Sequence, residues 1–496
     1  MLGLPAASAD EPIAPVTAPV APVEPVAPVL PAEPESSTAA SEALAEVQEI
    51  LEHGETDGRD LTMALRDLRL HQSELSRADR RAVRKVTGRP LPDSAPYADF
   101  GPVRVHWSAK DTSITPAWIE FVGATSQQVL ATYAAAGYRA PKTDGGRGGS
   151  DHLDMYVIAL DPGLYAYCDT DVVPPNRGPY DVPAFCAFDN DYAGFPGTPE
   201  QTLQVTAAHE LFHAVQFGYD YEEDRWFLEA TATWVEDELF DDVNDNYQYL
   251  AMSPLRQPRQ SLDQYSRSSL RQYGEWIFFR YLSERWPEQT GTMPTVILRL
   301  MQRIDGSKGA PDLYSMRAIE RELKARKTSL RQVYADFSDA NRRPALTYRE
   351  GSAYRAAKPS ATWTLGGKRR DTGVRRTKVN HLASATARLK PGAGARGRLR
   401  VQVMVPKRHA AAVVSVYRKN GAVQTRTVKI NRHGRGKVQV RFDRRTTRFA
   451  EVTLVNASAR YKCWQGPQGR AEILYSCRGR PLDQRMPLAF RARLVG

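Results

Sequence analysis

The period of the apolar positions changes along the chain and divides it into segments. Residues 10–35 repeat Ala-Pro-Val and Glu-Pro-Val units, and proline at every third or fourth position excludes helix and favours an extended, semi-rigid spacer. Between 40 and 86 the pattern turns helical. Ala43, Leu44, Val47, Ile50 and Leu51 recur at helical spacing. After a break at 54–58, Leu61, Leu65, Leu68 and Leu75 begin a second helix that ends near Val86, and Pro90, Pro92 and Pro96 close the segment. This helical hairpin reads equally well as a propeptide or as the first part of a mature domain. Residues 97–200 then alternate between strand and helix patterns. Val103–Trp107, 153–160 and 184–188 read as strands, and 116–136 as a helix with Ile119, Phe121, Val122, Val129 and Leu130 apolar. Residues 260–345 return to helical spacing, with 273–285 strongly amphipathic. From 360 onward the period falls to two: 399–405, 412–417, 423–430, 437–442, 450–455 and 488–494 read as strands between Gly-, Asn- and Arg-rich turns.

The clearest chemistry lies on the helix that follows residue 198. Thr198-Pro199-Glu200-Gln201 reads as its start, with Thr at the N-cap, Pro at the first helical position and Gln closing a capping box. That helix carries His209-Glu210-Leu211-Phe212-His213. Residues four apart stand on one face, one turn apart, so both imidazoles can reach one metal ion. Glu210 falls at the border of that face, where a carboxylate can touch a metal-held water without taking a coordination position. Ala208, Leu211, Phe212 and Val215 supply an apolar face, and burying two imidazoles and a carboxylate side by side without a metal is costly. A second helix reads from Asp224 as N-cap through Leu239. Its Glu229 and Glu236 are seven apart, so they share a face but stand about 10 Å apart along the axis, and only one of them can bind the ion.

Trp226-Phe227-Leu228-Glu229-Ala230-Thr231-Ala232 resembles the W-x-x-E-G-x-A stretch of gluzincin metallopeptidases such as their aminopeptidase branch. Residues 206–245 also resemble a group of secreted bacterial metalloprotease-like proteins, a likeness that extends over residues 100–290. The resemblance implies His209, His213 and Glu229 as ligands of one zinc ion and Glu210 as general base. It also implies a tyrosine that stabilises the oxyanion; Tyr273 is one candidate, with Tyr219, Tyr221 and Tyr265 competing. The chain departs from the gluzincin pattern in three ways. Ala230 replaces the usual glycine, the interval from His213 to Glu229 is shorter, and there is no G-x-M-E-N motif to anchor a substrate N-terminus. Thr233 stands where some gluzincins place an aspartate that orients a ligand histidine; Glu236 or Asp237 is the alternative. His/His/Glu donors favour zinc over other divalent ions.

The fold implied is an α+β zincin-like catalytic domain, a mixed sheet plus the metal-binding helix, over residues 96–350. An all-β sandwich accessory domain follows over 360–496. Residues 1–35 form a signal remnant and Pro-rich linker, and 36–95 the helical segment. In a zincin an edge strand lies above the metal helix, where an extended substrate can add by backbone pairing; 184–188 is the nearer candidate in sequence. Asp189-Asn190-Asp191 after it is a weak calcium candidate, since such clusters are more often turns. The Gly-rich run at 145–149 lacks the Lys and Ser/Thr of a phosphate loop.

Charge adds a second theme. Residues 361–496 hold 32 Lys and Arg against 5 Asp and Glu, a net of +27, whereas residues 1–360 hold 36 against 52. An acidic front and a very basic back suggest an anionic partner for residues 361–496, such as a cell-wall polymer or polysaccharide. No nucleic-acid-binding signature is present. No run of eighteen apolar residues exists, so no transmembrane helix is expected. Four cysteines fall in two close pairs, Cys168 with Cys186 and Cys463 with Cys477, without metal-knuckle spacing; local structural disulfides in an oxidising compartment are expected. Ala7-Ser8-Ala9 resembles a signal-peptidase site whose upstream part is missing, which suggests translation starting upstream of Met1 and a secreted bacterial protein. The sequence thus points to a secreted zinc endopeptidase. The alternative is a catalytically inactive zincin-fold surface protein whose basic C-terminal domain binds an anionic wall or polysaccharide partner. The oligomeric state is not legible.

Overall fold

The structure, a computed structural model, describes residues 39–53, 61–175, 177–466 and 473–495. The signal-like segment and the Pro-rich spacer lie outside the described residues.

Three helices come first: α1 (Ala39–His53), α2 (Thr62–His71) and α3 (Arg77–Val86). The single helix expected from Leu61 to Val86 is therefore two. Leu75 and Ser76 adopt extended backbone, and the Ser76 hydroxyl accepts from the Asp79 N–H, so a new N-cap restarts the chain as α3. Leu44 and Val47 of α1 pack with Leu61, Leu65 and Leu68 in one buried cluster. Every residue of α2 from Thr62 to Arg69 is buried, so this helix lies between other elements rather than on the surface.

A five-stranded mixed sheet follows. It comprises β1 (Tyr97–Phe100), β2 (Val103–Trp107), β3 (Leu153–Ile158), β4 (Ala166–Asp169) and β5 (Phe185–Asp189), in the order β1-β2-β3-β5-β4. β2, β3 and β5 run parallel, while β1 and β4 pair antiparallel at the two edges. Between β2 and β3 the chain forms α4 (Pro116–Ala135), capped by the Thr115 side chain. The expectation that 184–188 forms the exposed edge is corrected here. All five residues of β5 are buried, as suits its Phe-Cys-Ala-Phe run, apolar on both faces. The edge belongs to β4, too short for its period to show in sequence. Cys168 on β4 faces Cys186 on β5 across the ladder, and the two form a disulfide.

Two long helices then cross, α5 (Pro199–Phe217) and α6 (Arg225–Leu239). The capping box read from Thr198 and Gln201 is present. Beyond them lie β6 (Tyr265–Ser266), α7 (Arg271–Gly274), α8 (Trp276–Arg285), β7 (Gln289–Thr290) and β8 (Met293–Pro294). α9 (Thr295–Ile304), α10 (Ser315–Ala325) and α11 (Leu330–Ala340) complete this region. The amphipathic run 273–285 is interrupted at Glu275; just before it Gly274 packs so closely that a Cβ there would meet the Tyr249 carbonyl oxygen at 2.7 Å.

The C-terminal region is mostly β. Its strands are β9 (Ala361–Leu365), β10 (Arg375–Val379), β11 (Ala383–Pro391), β12 (Arg398–Met404), β13 (Ala410–Arg418), β14 (Val423–Thr427), β15 (Arg435–Arg441) and β16 (Thr447–Asn456). The short β17 (Tyr461–Lys462), β18 (Ile473–Leu474) and β19 (Arg480–Pro481) precede β20 (Met486–Val495). They form a four-stranded sheet, β10-β20-β12-β15, and a five-stranded sheet, β14-β13-β16-β11-β9. Val401 and Phe490 from the first share a buried cluster with Val414 and Leu454 from the second. β11, absent from the sequence reading, lies between β16 and β9. Its buried positions are Ala383, Ser384, Ala385, Thr386, Ala387 and Leu389, small or polar residues but for the last, which carry little hydropathic signal.

The outer face of β13 and β16 packs on the helical region: Ala411, Val413 and Val455 join the same core as Tyr334 and Phe337 of α11. Two buried polar contacts reinforce this junction. Arg342 pairs with Glu451 at 3.0 Å, and Asp263 accepts from Tyr461 Oη at 2.6 Å while pairing with His381 Nε2 at 2.6 Å. Cys463 and Cys477 form the second disulfide. Among the described residues no helix is long and apolar enough to cross a membrane.

Candidate metal centre

α5 and α6 pack against each other and bring three donor groups together. One ligand atom each from His209, His213 and Glu229 lies within 4.8 Å of the others, and all three residues are buried. The two Nε2 atoms are 3.1 Å apart. Glu229 Oε2 lies 3.3 Å from His209 Nε2, and Oε1 lies 3.7 Å from His213 Nε2.

The outer nitrogens of both rings are committed elsewhere. His209 Nδ1 stands 2.7 Å from Glu236 Oε1. His213 Nδ1 stands 2.7 Å from Gln216 Oε1, while Gln216 Nε2 donates to the Leu228 carbonyl and to Thr231 Oγ1. Those two donations fix the amide orientation, so Gln216 Oε1 is an acceptor and His213 Nδ1 carries the proton. Glu236 sets the tautomer of His209 in the same way. Each imidazole therefore turns an Nε2 lone pair towards the other. Both Glu229 oxygens are buried and face the two Nε2 atoms, with no hydrogen bond from any other residue among the described residues. Two lone pairs and a carboxylate that converge in a dry interior repel one another unless a cation stands among them, and imidazole with carboxylate is a donor set suited to zinc. The donors fit a metal ion.

The electrostatics agree. Burial alone would push His209 and His213 down, but the surrounding carboxylates hold both above the usual histidine range: hydrogen bonds to Glu229 and Glu236 at His209, the charge of Glu229 at His213. Burial would raise Glu229, yet the charge of a protonated His213 and the hydrogen bonds that both rings donate when protonated in place of a metal hold it at about 2. The pocket is built to keep positive charge.

Glu210 projects from the same helix, and its Oε2 accepts from Thr62 Oγ1 at 3.2 Å. Tyr273, on α7, is buried; its ring centroid lies 6.0 Å from that of His209 and 5.0 Å from that of Tyr249. The competing tyrosines are placed elsewhere. Tyr219 Oη accepts from the Arg139 N–H, Tyr221 packs edge-on against Phe217, and Arg225 lies over Tyr265. Of the two carboxylates considered for orienting a histidine, Glu236 meets His209, whereas Asp237 pairs with Arg280. Thr233 donates to the Glu229 carbonyl instead. Gln216 and Thr62 escaped the sequence reading. Gln216 had a weak signal, one turn after His213; Thr62 had none, being 148 residues from Glu210.

The Asp189–Asp191 cluster is a turn. Asp189 accepts from the backbone N–H groups of Tyr192, Asp191 and Leu160, and Asp191 from that of Ala193. A different acidic group, Asp237, Asp241 and Glu350, has ligand atoms within 4.8 Å of one another. Arg280 and Arg349 already pair with its two aspartates.

No protein-family model matches the chain, and neither does any curated protein.

Proposed function

We propose that the protein is a secreted zinc-dependent endopeptidase of gluzincin type. In this reading its α/β region is zincin-like and its two C-terminal sheets form a basic sandwich. The observation that carries the reading is the convergence of His209 Nε2, His213 Nε2 and the buried Glu229 carboxylate from α5 and α6, with Glu210 beside them. His209, His213 and Glu229 would hold the ion, and Glu236 and Gln216 would orient the two rings. An ion bound there supplies Lewis acidity and an acidified water. Glu210 takes a proton from the attacking water and returns it to the leaving amine. Tyr273, beside His209, is the candidate to donate a hydrogen bond to the oxyanion.

The two disulfides suit an oxidising compartment. The C-terminal region presents exposed Arg426, Arg435, Lys437, Arg441 and Arg448, a surface suited to an anionic wall polymer or polysaccharide. That surface also supports the second reading, an anion-binding protein whose zincin-like region does no chemistry. Incubation of the zinc-loaded protein, freed of its N-terminal helices as described below, with a mixture of quenched fluorescent peptides separates the two. Cleavage abolished by Glu210→Gln supports the peptidase; binding of a sulfated polysaccharide with no cleavage supports the alternative.

A further inference from the structure

A peptidase site must admit a peptide, and these side chains are closed off: His209, Glu210, His213 and Glu229 are 1%, 2%, 0% and 1% exposed. Helix α2 contributes to the closure at two points through one residue. Thr62 Oγ1 donates to Glu210 Oε2 at 3.2 Å and accepts from the Cys168 backbone N–H at 2.9 Å. Cys168 lies on β4, the edge of the sheet, and that N–H is turned away from β5. A free N–H on an edge strand is what an extended peptide uses to dock. One threonine thus engages both the proposed proton carrier and the strand edge beside it.

The rest of α2 is anchored to β4 on one side and to the start of α6 on the other. Arg69 pairs with Asp169 of β4 at 2.9 Å. Arg66 Nη1 donates to the Glu223 carbonyl at 2.6 Å, and Asp67 pairs with Arg225 at the start of α6. Met63 enters the core of the α/β region, while Leu61, Leu65 and Leu68 pack back against α1. α2 is thus fixed to β4 and α6 on one face and packed against α1 on the other.

We infer that α2 is an internal plug of the peptidase site, seated by Thr62, and that the chain as it stands is latent. This inference rests on the peptidase reading above. The reaction that must precede activity is hydrolysis of a peptide bond between α3 and β1 by a separate peptidase, water adding across the bond to leave a carboxylate and an amine. Pro92, Asp93 and Ser94 are exposed there, in a turn closed by the Ala95 N–H to the Pro92 carbonyl at 2.9 Å. Once that bond is cut, α1–α3 lose the tether that keeps their local concentration high.

The test uses the full chain, loaded with zinc, with a site-specific protease sequence inserted between Asp93 and Ser94. Three quantities are compared before and after cutting and separation of the released piece: the rate of zinc removal by excess EDTA, hydrogen exchange of the amides at 166–169, and cleavage of a quenched peptide mixture. Cutting is expected to raise the first two about ten-fold or more and to bring out the third. An uncut Thr62→Trp chain, which cannot seat α2 in the same place, is expected to show the same rises. Faster zinc removal and exchange without peptide cleavage would sustain the plug and remove the peptidase reading. Peptide cleavage by the uncut chain at the same rate as by the cut chain would overturn the plug. So would unchanged zinc removal and exchange in both the cut chain and the Thr62 variant.

Discussion

The Nε2 atoms of His209 and His213 face each other across 3.1 Å, and each ring's Nδ1 is already held by an acceptor, Glu236 Oε1 or Gln216 Oε1. Neither ring can turn away without breaking a buried hydrogen bond. This preorganisation, rather than the H-E-x-x-H spelling alone, suits the pair to hold a metal ion.

The orienting residues should therefore tune affinity. Glu236→Ala and Gln216→Ala are each expected to weaken zinc binding about 10–100-fold while leaving the fold intact. Competition with a chromophoric chelator measures it. Affinities equal to the parent would mean that the rings are positioned by packing alone.

Glu210 stands beside the proposed ligands and, in the proposed mechanism, takes no part in holding the ion. In the chain cut at the 92–94 turn, Glu210→Gln should retain zinc and lose peptide hydrolysis by about 10²–10⁴-fold, the range of general acid–base catalysis. Metal content and peptide cleavage on the same sample check this. Retained hydrolysis would take Glu210 out of the mechanism.

Asp263 gives the acid limb of stability. Its carboxylate is fully buried, and burial alone would raise it; the His381 charge and hydrogen bonds from His381, Tyr461 and the Ser476 N–H hold it below its usual 3.8. A carboxylate lowered in the folded state contributes stability that is present above 3.8 and lost as pH falls through the folded value. Asp263→Asn should therefore cost about 3 kcal/mol at neutral pH, since it breaks a buried charged network. Urea denaturation should show that difference shrinking below pH 3.8. An equal difference at both ends of the range would assign the loss to packing.

The Cys168–Cys186 bond ties the β4 edge to β5 across a separation of 18 residues. A closed loop of that size contributes about 3 kcal/mol by restricting the unfolded chain. The double variant Cys168→Ser, Cys186→Ser should lose that amount by calorimetry. It should also raise hydrogen exchange on β4 more than on β2, which is held between two neighbours.

Much of the site was legible because it is local. His209, Glu210 and His213 share one helix whose cap is spelled out by Thr198 and Gln201, and Glu229 follows on the next helix in a recognisable setting. The choice of Glu236 over Asp237 was not, because it depends on how α6 is rotated against α5 and on where Arg280 lies. The edge strand was misplaced for a related reason. β5 is longer and more apolar than β4, but strength of pattern marks an interior strand, and the four residues of β4 are too few to show a period. Thr62 was invisible: nothing in an exposed-looking Thr-Met-Ala-Leu run reports a partner on α5. In the β region the strands with alternating Val and Leu were found, whereas alanine-rich β11, the edge strand β9 with Thr at alternate positions, and the edge strand β10, polar from Arg375 to Lys378, were not.

The most direct test of the central claim is the metal content of the purified, dialysed protein by elemental analysis. One zinc per chain is expected, lost in His213→Ala and in Glu229→Ala variants that remain folded. A folded parent that holds no metal even after incubation with zinc would contradict the metal centre, and the basic C-terminal surface would then become the leading account of what the protein does.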